Sequence, residues 1–96
     1  MAMLRRPAQA GTLESSDCLV SVAPSETREL DHRGAGATFF AGRTRGLVND
    51  VLDSLGISGA TVTIQDQGAL EVTLRARLEA ALERASREED AACPRQ

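Results

Sequence analysis

A chain of 96 residues fits one domain around one modest core and leaves no room for a second, catalytic one. Its 42% hydrophobic content leans on Ala, and 21 Leu, Val, Ile and Phe put it just above the roughly 20% below which disorder becomes the default, so the core is expected to be aliphatic and thin. A net charge of −3, no Trp or Tyr and only Phe39 and Phe40 argue against nucleic-acid binding, which needs a basic excess and stacking rings; no window nears the ~20 apolar residues of a membrane span.

Cys18 and Cys93 stand far apart without metal-ligand spacing, which argues against a disulfide framework or a zinc site and points to a reducing cytoplasm. Arg5 and Arg6 are followed by Gly11 and Thr12 rather than an apolar run, so the start does not read as a signal peptide. The expectation is a soluble, cytoplasmic protein.

Residues 1–7, with Pro7 and no periodic pattern, read as a flexible terminus, and order is expected from about Ala8. A short strand is expected over Ala10 to Glu14. A better one runs from Cys18 to Ala23, with Cys18, Val20 and Val22 on one side and Leu19, Ser21 and Ala23 on the other. Ser15, Ser16 and Asp17 fall in the turn between them, as residues that bond nearby backbone and tolerate turn geometry. Beyond Pro24-Ser25, residues 27–32 offer a single large apolar residue, Leu30, and read as a weak edge strand whose charges discourage stray pairing.

After Gly34-Ala35-Gly36, the residues Ala37, Phe40, Ala41, Thr44, Leu47, Val48, Val51, Leu52 and Leu55 recur at helical spacing. Gly56 stands where a left-handed C-cap ends a helix, and Phe39 falls off the stripe. Residues 60–65 alternate apolar and polar as a half-buried strand, ended by Asp66-Gln67-Gly68. Leu70, Leu74, Leu78, Ala81, Leu82 and Ala85 then mark a second helix, with Glu71 to Arg75 and Glu83 to Arg87 spaced for i,i+4 pairing. Val72 lies off that stripe, so residues 69–73 also fit a short strand. From Glu88 the tail turns polar and reads as a second flexible terminus. Three strands, a helix, a strand and a helix imply a two-layer α+β domain over residues 8–87, an antiparallel or mixed sheet of about four strands with two helices packed on one face.

Few constellations in this chain could carry chemistry. A nucleophilic triad needs a base, and the one histidine, His32, sits on the weak edge strand, where it reads as solvated; no Gly-x-Ser-x-Gly elbow accompanies it. Gly34-Ala35-Gly36 lacks the lysine and spacing of a phosphate loop. Arg43 with Arg45 and Arg75 with Arg77 fit either an anionic partner or an ordinary charged helix surface. No metal site and no catalytic residue is expected.

The run Ala10-Gly11-Thr12-Leu13-Glu14-Ser15, followed by an aliphatic strand ending Val22-Ala23-Pro24, resembles the N-terminal signature of the citrate lyase acyl carrier protein family, the gamma subunit of that complex. A second matching block runs from Asp66-Gln67-Gly68-Ala69-Leu70 through Leu74-Arg75-Ala76-Arg77-Leu78 to Arg84-Ala85-Ser86, and the resemblance spans roughly residues 7–86. It implies that Ser15 carries a phosphoribosyl-dephospho-coenzyme A arm through a phosphodiester, and that the arm's thiol holds acetyl and citryl groups as thioesters. It implies further that the protein works as a non-catalytic subunit with the alpha and beta subunits of citrate lyase in citrate fermentation, served by an arm-transfer enzyme and an acetylating ligase. The position after the modified serine is commonly glycine in that family and is Ser16 here, which makes Ser16 a weaker alternative attachment site. The acyl carrier of malonate decarboxylase is a close alternative. Two others, from different classes, are an unmodified adaptor protein and a small serine hydrolase using Ser15, Asp17 and His32.

Overall fold

The computed structural model describes residues 3–35 and 37–87. Its centre is the antiparallel pair β2 (Cys18–Ala23) and β4 (Ala60–Asp66), both of which alternate between buried and half-buried residues. Strand β1 (Ala8–Gly11) pairs antiparallel with the outer edge of β2, and β3 (Arg28–Gly34) pairs in parallel with β4, giving the order β1-β2-β4-β3. The parallel pair is joined by a helical crossover, α1 (Ala37–Ser54), and α2 (Glu71–Ser86) follows β4. The expected two-layer α+β domain with a mixed four-stranded sheet is what forms.

Cys18, Val20 and Val22 of β2 and Ala60, Val62 and Ile64 of β4 point into one core, which Leu47, Val48, Val51 and Leu52 of α1 and Leu74, Leu78, Ala81, Leu82 and Ala85 of α2 close. On the opposite sheet face Leu19, Ser21, Thr61 and Thr63 stay partly exposed, so both helices cover the same side. The end of α1 is as the sequence spells it. Gly56 has φ +71, its amide donates to the Asp53 carbonyl at 3.1 Å, and the Ile57 amide reaches the Leu52 carbonyl at 2.9 Å, the paired bonds of a Schellman cap. Ile57, fully buried just past that cap, belongs to the core although no helical stripe contains it.

Several boundaries differ from the pattern reading. Strand β1 runs over Ala8–Gly11, not residues 10–14, because Gly11 turns the chain out of the ladder at φ +104. Strand β4 extends to Asp66, whose side chain is buried rather than part of a solvated turn. Residues 71–73 are helical, which sets aside the strand alternative for 69–73. Glu71 pairs across to Arg43 of α1 at 3.5 Å and Arg75 pairs forward to Glu79 at 3.6 Å, so the expected 71–75 pair is replaced, whereas Glu83–Arg87 forms at 3.5 Å. The helical backbone of α1 breaks at Phe40 (φ −115, ψ 16), and at that kink the stripe is out of the core: Phe40 and Ala41 are exposed, as is Leu55 at the other end. At the N-terminal side, burial starts before Ala8. Leu4 is packed into the core, and the Arg5 amide donates to the Ala85 carbonyl at 2.7 Å, laying the segment along the end of α2. The polar tail 88–96, with Cys93, lies outside the described residues.

Candidate functional site

The register places Cys18 of β2, Asp66 of β4 and Gly34 of β3 in one row. The β1–β2 turn, the β3–α1 junction and the β4–α2 connection therefore all leave the sheet at the same end. The turn itself begins at Gly11, where a side chain would collide with the Cys18 carbonyl as well as demand a strained φ. The Thr12 amide then donates to the Cys18 carbonyl at 3.2 Å, and the Asp17 amide to the Glu14 carbonyl at 3.1 Å. The second bond closes a four-residue turn, Glu14-Ser15-Ser16-Asp17, with the two serines at its corners.

Asp17 is the pin of this turn. Its carboxylate accepts from Arg77 Nε at 3.0 Å and Nη2 at 3.1 Å, from Thr12 Oγ1 at 2.7 Å and from its neighbour's amide, Cys18 N, at 2.7 Å. The Arg77 bonds first, then those of Thr12 and Cys18, hold the Asp17 carboxyl well below the usual carboxylate range, and the Arg77 guanidinium is correspondingly raised by Asp17. A two-pronged bond from arginine fixes direction as well as distance, so α2 sets the attitude of the β1–β2 turn. The turn is also tied to the β4–α2 connection, through Ser16 N to the Gln67 carbonyl at 2.7 Å and Gln67 N to the Asp17 carbonyl at 2.9 Å.

Held this way, Ser15 and Ser16 are both exposed, but they are not equivalent. Ser16 alone among the described non-glycine residues has a positive φ, +69, and its amide is committed to Gln67. That is the corner where a turn of this kind favours glycine. Ser15 occupies the preceding corner without that constraint.

His32 is not the solvated edge residue that its strand suggested. Its side chain is 5% exposed, and Nε2 lies 3.0 Å from Asp66 Oδ2, while the other Asp66 oxygen accepts from the amides of Gly68 and Ala69, both at 2.9 Å. Burial works against the charged form of Asp66, but the His32 and amide bonds outweigh it and hold the carboxyl below its ordinary value. His32 is thus engaged with Asp66 while Asp17 is engaged with Arg77, and the Ser15–Asp17–His32 triad is not assembled. Cys18, fully buried beside the turn, has its thiol pushed up to about 11, chiefly by burial and then by the Asp17 and Asp66 charges. Among the described residues no cluster of three His, Cys, Asp or Glu has the arrangement of a metal site, and no helix is long and apolar enough to cross a membrane.

Arg77 and Asp66 escaped the sequence reading. Arg77 was visible only as half of a basic pair, yet it is flanked on α2 by Leu74, Leu78 and Ala81, so it borders the buried stripe and faces the sheet end. Arg43 and Arg75, read the same way, are taken up by Glu71 and Glu79.

The protein is therefore an α+β domain in which one arginine–aspartate pair fixes a turn carrying two exposed serines. Comparison with known proteins gives this domain its family. Residues 5–85 match the acyl carrier protein family described as malonate decarboxylase delta subunit, and the chain belongs to that family. It is 42% identical over 83 residues to the citrate lyase acyl carrier protein of Treponema denticola, covering 86% of this chain and 95% of that one, and 41% identical over 85 residues to the namesake in Clostridium perfringens, covering 86% and 84%. In three dimensions it is similar to a chain in the crystal structure of a Pseudomonas malonate decarboxylase hetero-tetramer in complex with malonate, with a TM-score of 0.65, 23% identity and 88% of each chain covered. At that identity the likeness speaks for the fold.

Proposed function

We propose that this protein is the acyl carrier subunit of a cytoplasmic citrate lyase complex, with Ser15 bearing a phosphoribosyl-dephospho-coenzyme A arm through a phosphodiester. The observation that carries the proposal is the turn: Ser15 stands exposed on a corner whose backbone is fixed on both sides, by the Asp17–Arg77 pair and by the bonds to Gln67. The identity of 41–42% to two citrate lyase carriers supports the choice of complex.

The residues fit the group. Attachment joins the Ser15 oxygen to the phosphorus of an activated phosphoribosyl donor. The serine proton passes to the arm-transfer enzyme and the donor's bond to its leaving phosphate breaks, so the carrier needs an accessible hydroxyl and no base of its own. A new negative charge beside Asp17 would be costly were Asp17 free, but Arg77 already neutralises it, leaving Glu14 as the nearest uncompensated carboxylate. When bound, the arm supplies a thiol that holds acetyl and citryl groups. This chain's part is to hold the arm's root and release its tip to the alpha and beta subunits, after an acetylating ligase has charged it. Tethering replaces diffusion with a high effective concentration at each active site. Ser16, bent into the glycine corner and with its amide engaged, remains the weaker site.

The test is intact mass after coexpression with a citrate lyase arm-transfer enzyme. One arm should be added to the wild type and to Ser16→Ala, and none to Ser15→Ala. Loading that survives Ser15→Ala would overturn the site assignment, and no added mass in the wild type would favour an unmodified adaptor. A second reading, the acyl carrier of malonate decarboxylase, is favoured by the family description. Loaded protein should restore citrate cleavage to carrier-free citrate lyase subunits, and restoration only of malonate decarboxylation by the other set of subunits would decide for the second reading.

A further inference from the structure

At the turn's end of the sheet, the starts of α1 and α2 flank an open cleft of about 520 Å³, lined among others by Ala35, Phe40, Arg43, Gly68, Leu70 and Glu71. We infer that this cleft is the resting site for the adenine ring of the arm that Ser15 carries, an inference that rests on the proposed function.

Three observations converge on it. The first is position. Ser16 N bonds the Gln67 carbonyl, and the next residue along, Gly68, already lines the cleft, so its rim begins one residue from the contact that anchors the serine turn. Gly68 itself has φ +94 and open space where a side chain would stand, which leaves the approach from the turn to the cleft clear.

The second is surface chemistry. Phe40 is 44% exposed and Leu70 is 72% exposed, and neither contributes to the core. The Arg43 guanidinium lies 4.3 Å from the centre of the Phe40 ring. Nucleobases stack on aromatic rings and on guanidinium planes alike, and here the two lie together beside an aliphatic side chain. The kink in α1 falls at Phe40, so the break in regular helix is at the residue that lines the cleft.

The third is charge, which selects one part of the arm over another. Arg43 is opposed by Glu71 at 3.5 Å, and Asp66, also on the cleft wall, is satisfied by His32, Gly68 and Ala69. With Arg43 countered by Glu71, the cleft suits an uncharged ring better than a diphosphate, and its Phe40 and Leu70 surface suits a planar purine better than the branched, non-planar pantetheine chain. The volume lies within the roughly 300–1,000 Å³ of small-molecule sites. Because a tether gives an effective concentration on the order of millimolar, millimolar affinity is enough to occupy the site about half the time. The arm remains free to leave for a partner's active site.

The experiment is solution NMR on unloaded and loaded protein, with loading verified by intact mass, alongside titration of free dephospho-coenzyme A into unloaded protein. Loading should move the backbone amides of residues 35, 40, 43 and 68–71 in addition to those of the turn, and nuclear Overhauser contacts should join adenine protons to the Phe40 ring and the Leu70 methyls. Free dephospho-coenzyme A should move the same amides, and Phe40→Ala should weaken that binding about tenfold, as loss of one stacking partner does, while leaving the mass added at Ser15 unchanged. Shifts confined to residues 12–17 in protein that carries the full added mass, contacts from pantetheine in place of adenine, or dephospho-coenzyme A binding unaffected by Phe40→Ala would each overturn the resting site and leave the carrier function standing. Failure to add mass at all would instead overturn the proposed function, and the resting site with it.

Discussion

At the scale of single residues, the site depends on a carboxylate that could be mistaken for a solvated turn residue. Asp17 takes four bonds from three different parts of the chain, and its low proton affinity in the folded state makes those bonds a source of stability with a defined pH range. The folded carboxyl lies below its ordinary value of 3.8, so the contribution is complete above that value and is lost as the pH falls below it. Urea midpoints measured from pH 6 downward should therefore be lower for Asp17→Asn than for wild type near neutrality and approach the wild type in strong acid; a constant difference across the range would refute the pairing as its cause. Arg77→Ala frees the same carboxylate and unlocks the turn, so arm attachment should slow by about tenfold to a hundredfold, the scale of an ångström-level misplacement, while Arg77→Lys, one charge without the fork, should recover only part of it. The sequence displayed Asp17 and Arg77 but not their meeting, because residues 60 positions apart are joined only by the packing of α2 on β1 and β2.

Among the elements, what could be read from the chain was what one period determines. Strands β2 and β4 alternate because one sheet face is covered and the other is not, and α1 ends at Gly56 because only a left-handed residue makes that cap cheaply. The parts that periodicity misplaced are those in which something other than a buried stripe decides. The first turn of α1 carries Phe40 and Ala41 at helical spacing, yet the kink turns them to solvent. Leu4 has no periodic neighbour at all, and the His32–Asp66 pair arises across two parallel strands. The serine turn is a case of its own, since its identity came from resemblance and its geometry from the fold. Ser16 holds a φ of +69, a conformation that disfavours any side chain by about 1 kcal/mol. Ser16→Gly should raise stability in chemical denaturation by up to about that amount and leave attachment at Ser15 intact. Loss of attachment in that variant would mean that the Ser16 hydroxyl, not the corner it occupies, is what the transfer enzyme needs.

Taken whole, the molecule divides along the sheet. One end carries the serine turn, the Asp17–Arg77 pair, the Phe40–Arg43 cleft and the starts of both helices; the other carries Ile57 after α1, Ala85 near the close of α2 and the strap of residues 4–6. Between them lie the fully buried side chains of β2 and β4, which separate the two ends in space. The strap offers the cleanest test of that separation. Leu4 is 6% exposed, and burying a leucine is worth about 1.5–3 kcal/mol, so removal of residues 1–6 should lower unfolding free energy by about 2 kcal/mol in urea, with the arm still attached at the wild-type rate under conditions where the truncated protein is folded. Leu4→Ala should reproduce most of that loss, because Leu4 is the residue of the segment that is packed into the core. If the truncation slowed attachment as strongly as Arg77→Ala does, the two ends would be coupled, with α2 bonding the turn through Arg77 and the strap through the Ala85 carbonyl, and the carrier would have to be regarded as a single lever rather than a display turn mounted on an independent core.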